Sequence, residues 1–175
     1  MRAKRIPEFT MVEPRRRQET DDVPLEGVRV LIVESGYYED IADMLLAGAK
    51  RTLDAAGVGY DVVTVPGALE IPQAMVIVIN SAFGAESYDA VVALGCVIRG
   101  ETSHYDIVAG ESARALMDIG INQEIPVGNG ILTVDNAAQA KVRAALDGGD
   151  KGGAAARAVL SLVRLQRSLV SRGLR

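Results

Sequence analysis

A chain of 175 residues, 49% hydrophobic and 24% charged, is long enough to bury a core and has ordinary globular composition, which excludes a mainly disordered polymer. Its net charge of −4 provides no global basic field for nucleic acid, and no apolar run approaches the ~20 residues that span a bilayer. One cysteine, Cys96, and one histidine, His104, exclude an intrachain disulfide and argue against a Cys/His zinc site within one subunit. A buried lone thiol fits a reducing compartment, and the expected location is cytoplasmic. No metal, nucleic acid or membrane is expected.

Residues 1–26 hold three prolines and the cluster Arg15-Arg16-Arg17, without the apolar segment of a signal peptide. They read as a flexible basic tail ahead of one domain over 27–175.

In chain order, residues 28–33 (VRVLIV) predict a buried strand. A polar turn follows over 34–40. Residues 41–56 place Ile41, Leu45, Leu46, Ala49 and Leu53 on one helical face, and Gly57 supplies the stop. Residues 60–65 predict a second strand, broken by Pro66-Gly67. Pro72 suits the first turn of a helix running to about Phe83. The third strand, 90–96 (AVVALGC), is apolar throughout, as a strand covered on both faces must be. A loop leads to a helix over about 107–119. A short fourth strand is expected at 131–134, then a helix at 137–146 capped by Asp135 or Asn136. The glycine-rich stretch 148–153 reads as a break before a last helix at about 154–170.

Strands alternating with helices predict an α/β fold, a three-layer sandwich with a four-stranded parallel sheet and helices on both faces. Ligands of such sheets bind beyond the carboxyl ends of the strands. The unusual residues fall there: Ser35-Gly36-Tyr37-Tyr38 after the first strand, Pro66-Gly67-Ala68-Leu69-Glu70 after the second, and the segment from Val97 to His104 after the third.

Tyr37 or Tyr38 can stack on a flat heterocycle or simply lie at the surface. Glu70 can accept hydrogen bonds from hydroxyls or merely favour a helix N-terminus. Gly100-Glu101-Thr102-Ser103, between strand and helix, offers N–H groups and two hydroxyls to an anion, although it is neither a Walker loop nor a GxGxxG turn. His104 beside it has the side chain that best suits proton transfer near neutral pH, or it is structural. Cys96 reads as a small core hydrophobe rather than a nucleophile. Arg143 and Lys151 can meet a phosphate or form part of charged helix faces.

Four ordered motifs carry a resemblance: Val65-Pro66-Gly67-Ala68-Leu69-Glu70-Ile71-Pro72; Ala93-Leu94-Gly95-Cys96-Val97-Ile98-Arg99-Gly100-Glu101-Thr102-Ser103-His104-Tyr105-Asp106; Gly130-Ile131-Leu132-Thr133; and Lys151-Gly152 before an Ala-rich helix. From about Val28 to the last helix the chain resembles the lumazine synthase family. That resemblance implies a flavodoxin-like sandwich and a cofactor-free transferase of riboflavin biosynthesis. It condenses 5-amino-6-(D-ribitylamino)uracil with 3,4-dihydroxy-2-butanone 4-phosphate, in sites shared between neighbouring subunits of a homopentamer.

The roles implied are these. Tyr37 stacks on the pyrimidine, and Ala68, Leu69 and Glu70 hold the ribityl chain. Cys96, Val97 and Ile98 meet the pyrimidine edge through their backbone. Glu101 and Thr102 bind phosphate with Arg143 of the neighbour, His104 transfers protons, and Lys151 lines the site from the same neighbour. The chain departs from the family pattern at Tyr37-Tyr38, where Phe-Asn is common. It departs again at Asn129, where Phe often forms the shared wall, and over 145–150, where shell-forming members carry a Gly-Thr-Lys-type segment. The last departure favours a pentamer or decamer over a sixty-subunit shell. Riboflavin synthase is the protein partner the resemblance brings with it. A non-catalytic lumazine or flavin carrier on the same scaffold is the main rival. It would not need His104, Thr102 and Arg143 together.

Overall fold

The computed structural model describes residues 22–81 and 87–173. Along them run β1 (Arg29–Ser35), α1 (Glu39–Ala55), β2 (Gly59–Val65), α2 (Glu70–Ser81), β3 (Ala90–Ile98), α3 (His104–Asn122), β4 (Val127–Val134), α4 (Ala137–Ala144) and α5 (Lys151–Ser171). The four strands are parallel in the order β2-β1-β3-β4, the expected flavodoxin-like sandwich.

Strand alternation divides the core into two halves. Val30, Ile32, Val92, Leu94 and Leu132 pack with Ile41, Leu45 and Leu53 of α1, Ala140 of α4 and Ala156, Val159 and Leu160 of α5. Leu31, Val33, Val91 and Ala93 pack on the opposite face with Ile71 and Met75 of α2 and Leu116 and Ile119 of α3. β3 lies centrally and is buried from Ala90 to Val97, which is why its sequence shows no polar alternation. The edge strand β2 alternates between exposed and half-buried positions instead.

β4 begins at Val127, four residues before the expected strand. Gly128 and Gly130 interrupt its apolar pattern, yet both are packing residues. A Cβ on Gly128 would strike the Ala155 carbonyl and come within 2.7 Å of Val159 Cγ2; one on Gly130 would lie 2.8 Å from Leu94 Cδ2. α5 therefore rests directly on the backbone of β4.

The glycine-rich stretch also resolves differently from the expectation. α5 starts at Lys151 and contains Gly152 and Gly153, because α1 crosses it closely. A Cβ on Gly152 would overlap the Leu45 carbonyl, and one on Gly48 would strike the Asp150 carboxylate and lie 2.9 Å from the Gly153 nitrogen. Asp150, at φ 39°, caps this helix: its Oδ1 accepts the Gly153 N–H at 3.3 Å. Its Oδ2 accepts bonds from Arg51 at 3.0 Å and Arg157 at 3.1 Å.

Other boundaries shift less. α3 starts at His104 rather than 107, and α4 ends at Ala144 rather than 146. Pro72 does sit in the first turn of α2, and the expected extension of that helix to Phe83 falls outside the described residues. Of the two candidate caps, Asn136 serves: its Oδ1 accepts the Gln139 N–H at 3.0 Å.

Placing a methyl at the α1–α5 crossing forces the helices apart. Gly152→Ala is expected to destabilise the protein by about 1–3 kcal/mol, read as a lower thermal midpoint. An unchanged midpoint would show that the crossing is looser than described.

Candidate active site

The chain reverses direction across the sheet between β1 and β3: β2 lies on one side of β1, while β3 and β4 lie on the other. Such a switch point opens a crevice at the carboxyl ends of the strands. Here strand length deepens it. The β1–β3 ladder ends at Glu34 opposite Leu94, whereas β3 continues beside β4 as far as Ile98 opposite Val134. From Gly95 to Ile98, among the described residues, the edge of β3 toward β1 has no strand partner, so backbone N–H and C=O groups are available to a ligand. A cleft of about 470 Å³ lies there, a size suited to a small molecule.

Three strand ends line it. At its base, the buried Ser35 hydroxyl donates to the Pro66 carbonyl at 3.5 Å and accepts the Tyr37 N–H at 3.4 Å, joining the ends of β1 and β2. The Tyr37 and Tyr38 rings meet edge to face, with centroids 4.9 Å apart. Tyr37 is 72% exposed, so a face of its ring is open to a stacking partner. Burial pushes the Tyr38 hydroxyl above its ordinary pKa, helped by the neighbouring Tyr37 and Cys96.

The second wall comes from the turn before α2. Ala68 is buried and Leu69 half-buried, and Glu70 opens the helix with its N–H bonded to the Gly67 carbonyl at 3.2 Å. The Glu70 carboxylate folds back over Gly67, where a side chain would come within 2.8 Å of Oε2.

Cys96, Val97 and Ile98 form the third strand end. Burial, with a smaller contribution from Asp40, raises the Cys96 thiol to about 11. It is therefore a neutral thiol near pH 7, which agrees with a packing role.

Beyond β3, Gly100, Thr102 and His104 close the cleft, with the His104 N–H directed to Thr102 Oγ1 at 3.4 Å. Glu101 is exposed beside Thr102 and is not among the lining residues.

Tyr37, Ala68, Leu69, Glu70, Cys96, Val97, Ile98, Thr102 and His104 thus come together in one cleft. Asn129, Arg143 and Lys151 do not. Asn129 lies in a separate groove between α3 and β4, its Oδ1 accepting the Ile131 N–H at 2.9 Å. Arg143 is exposed in the last turn of α4, with no acidic partner among the described residues, and Lys151 is half-buried at the start of α5. Among the described residues no cluster of His, Cys, Asp and Glu is arranged to hold a metal ion.

Sequence reasoning placed Ser35 at this edge without giving it a role, and it missed Tyr105 and Val108 as lining residues. Starting α3 at His104 puts Tyr105 and Val108 three apart on the cleft side, a signal lost when the helix is begun at 107.

Comparison with known proteins places the chain in a family. The family model described as 6,7-dimethyl-8-ribityllumazine synthase matches residues 27–167. The chain belongs to this family. A 6,7-dimethyl-8-ribityllumazine synthase of Azorhizobium caulinodans is 58% identical over 90% of this chain and 98% of its own length. One from Xanthobacter autotrophicus is 61% identical over 83% of this chain and 88% of its own, and synthase 1 of Rhizobium meliloti is 56% identical over 83% and 95%. As a family member the chain is an enzyme, a transferase of riboflavin biosynthesis.

The raised thiol has a direct chemical consequence. An unperturbed thiol is about half ionised by about pH 8.5, whereas Cys96 holds its proton until pH approaches about 11. Alkylation of the native protein by iodoacetamide at pH 8.5 is expected to be at least about tenfold slower than in urea. Equal rates would mean an accessible, ordinary thiol.

Proposed function

We propose that this cleft is where the chain condenses 5-amino-6-(D-ribitylamino)uracil with 3,4-dihydroxy-2-butanone 4-phosphate. The products are 6,7-dimethyl-8-ribityllumazine, orthophosphate and water, in the penultimate step of riboflavin synthesis. The observation that carries the assignment is the open edge of β3, with Tyr37 on one side and the Thr102–His104 turn on the other.

The flat uracil lies against Tyr37 and pairs its polar edge with the backbone of Cys96, Val97 and Ile98, as amide groups without a strand partner favour. Its ribityl hydroxyls run toward Ala68, Leu69 and the Glu70 carboxylate. The Thr102 hydroxyl and the backbone N–H groups of the loop before α3, that of Glu101 among them, attract the phosphate at the positive end of the helix. The amine of the pyrimidine attacks the ketone and one water is lost to form an imine, phosphate leaves, and the ring closes with loss of a second water. His104, on the cleft wall, passes the protons these steps require. Holding both substrates in register supplies much of the acceleration, since effective molarity is worth roughly 7–11 kcal/mol.

Arg143, Lys151 and Asn129 lie outside their own subunit's cleft, which supports a site completed by a second copy. Arg143 then meets the phosphate, Lys151 lines the site beside it, and Asn129 stands at the shared wall. The working assembly on this reading is a homopentamer or decamer in the cytoplasm, able to hand its product to riboflavin synthase. The same reading assigns residues 1–26 to a tail and 27–175 to the catalytic domain.

The deciding assay mixes purified protein with both substrates and follows lumazine absorbance and fluorescence after subtracting the uncatalysed rate. Rate above background, lost in a Thr102/His104/Arg143 triple alanine variant, establishes the assignment; background rate with tight lumazine binding points to a carrier. His104→Ala alone is expected to lower turnover by roughly 10²–10⁴-fold while leaving measurable activity. Wild-type turnover would sink its proton-transfer role. Arg143→Ala is expected to raise KM for the butanone phosphate, and an unchanged KM would remove the phosphate contact.

A further inference from the structure

Arg99 lies outside the cleft lining, yet it joins three elements beside the phosphate-binding loop. We propose that Arg99 is a positioning residue that braces loop 100–103, so that Thr102 and His104 face the cleft.

The backbone N–H of Arg99 donates to the Val134 carbonyl at 2.9 Å, carrying the β3–β4 ladder one residue past the end of β3. Its guanidinium Nη2 donates to Asp106 Oδ1 at 3.1 Å, in the first turn of α3. Nε lies 3.7 Å from Asp135 Oδ1, at the junction of β4 and α4. The planar group covers the Tyr105 ring with its carbon 4.0 Å from the centroid. Asp135 is itself tied into α4, since its N–H donates to Gln139 Oε1 at 2.9 Å.

The Ser103 carbonyl ties the end of the loop to α3 by accepting the Asp106 N–H at 3.0 Å and the Ile107 N–H at 3.4 Å, but the residues before it have little to hold them. Residues 100–103 are exposed, and a Cβ on Gly100 would meet no atom within 4 Å. From the loop's side chains, Thr102 Oγ1 accepts the His104 N–H at 3.4 Å. The fork that fixes both ends of such a loop also determines where its hydroxyl and imidazole point. Arg99 further neutralises Asp106 and Asp135, two carboxylates that would otherwise repel an incoming phosphate. A planar fork that stacks and pairs at once is a task for arginine that lysine performs only in part.

The proposal rests on the assignment of this loop to phosphate, and its test keeps the two apart. Arg99→Ala is expected to raise KM for the butanone phosphate about tenfold, with KM for the ribitylaminouracil, held by the opposite wall, within about twofold of wild type. Arg99→Lys is expected to recover part of the loss. Orthophosphate itself, titrated into each protein and followed by ³¹P line width, is expected to bind more weakly to Arg99→Ala. A parallel rise in both KM values with a fallen thermal midpoint would assign Arg99 to general stability and overturn the proposal. So would full recovery by Arg99→Lys, which would leave charge alone as the cause, or unchanged orthophosphate binding in Arg99→Ala. Background-only condensation by the wild-type protein would sink the assignment of function, while the orthophosphate titration would still score the brace.

Discussion

The length difference between two neighbouring strands governs this molecule. β1 stops at Ser35, and β3 runs on beside β4 to Ile98. A sheet of equal strands would close its central ladder and leave only loops at its end. Here a stretch of backbone amides is presented at the switch point, where the chain has already turned its loops outward. For β3 to reach so far without a partner on one side, the rest of it must be anchored. The unbroken apolar run from Ala90 to Val97, covered from both faces, provides that anchor. The burial that makes this strand easy to recognise also makes its end, unpaired on the side of β1, a rigid platform.

Much of this organisation is legible in the sequence because the apolar periods are clean. β1, α1 and β3 each declare themselves through hydrophobic spacing, and the motifs after the first three strands mark the edge of the sheet where the cleft opens. The misreadings of β4 and of the start of α5 share a cause. Gly128, Gly130 and Gly152 look like chain breakers, but each gives up a side chain so that another segment can approach, and Gly153 gives up its own to the Asp150 carboxylate that caps the helix. Local sequence cannot distinguish a glycine that bends the chain from one that makes room, because the difference lies in the partner. Ser35 is a comparable case: one small polar residue at the end of an apolar strand, whose hydroxyl gains meaning only when Pro66 and Tyr37 come beside it. Asn129, Arg143 and Lys151 sit apart from the cleft, which a single chain's sequence could not disclose without the resemblance.

A second point of order lies on the opposite side of the sheet from α2 and α3. Asp150 is buried, caps α5, and receives two arginines from α1 and α5. A carboxylate in that position is tolerable because its oxygens are satisfied; removing either its charge or its partners would leave the remainder exposed to the cost of burial. It also joins the turn after α4 to the start of α5, so the residues flanking Arg143 and Lys151 share one support. The left-handed backbone at Asp150 is the local strain this junction accepts.

The distribution of aromatic residues has an optical consequence. The chain has five tyrosines and no tryptophan. Three of the five, Tyr37, Tyr38 and Tyr105, line the cleft. Ultraviolet emission from this protein therefore arises largely at the place where a conjugated heterocycle would sit, and tryptophan does not mask it. A ring system resting among those side chains would drain their excitation by energy transfer, making occupancy of the cleft visible in unlabelled protein. Tyr60 and Tyr88, away from the cleft, would supply the steady remainder against which that loss is read.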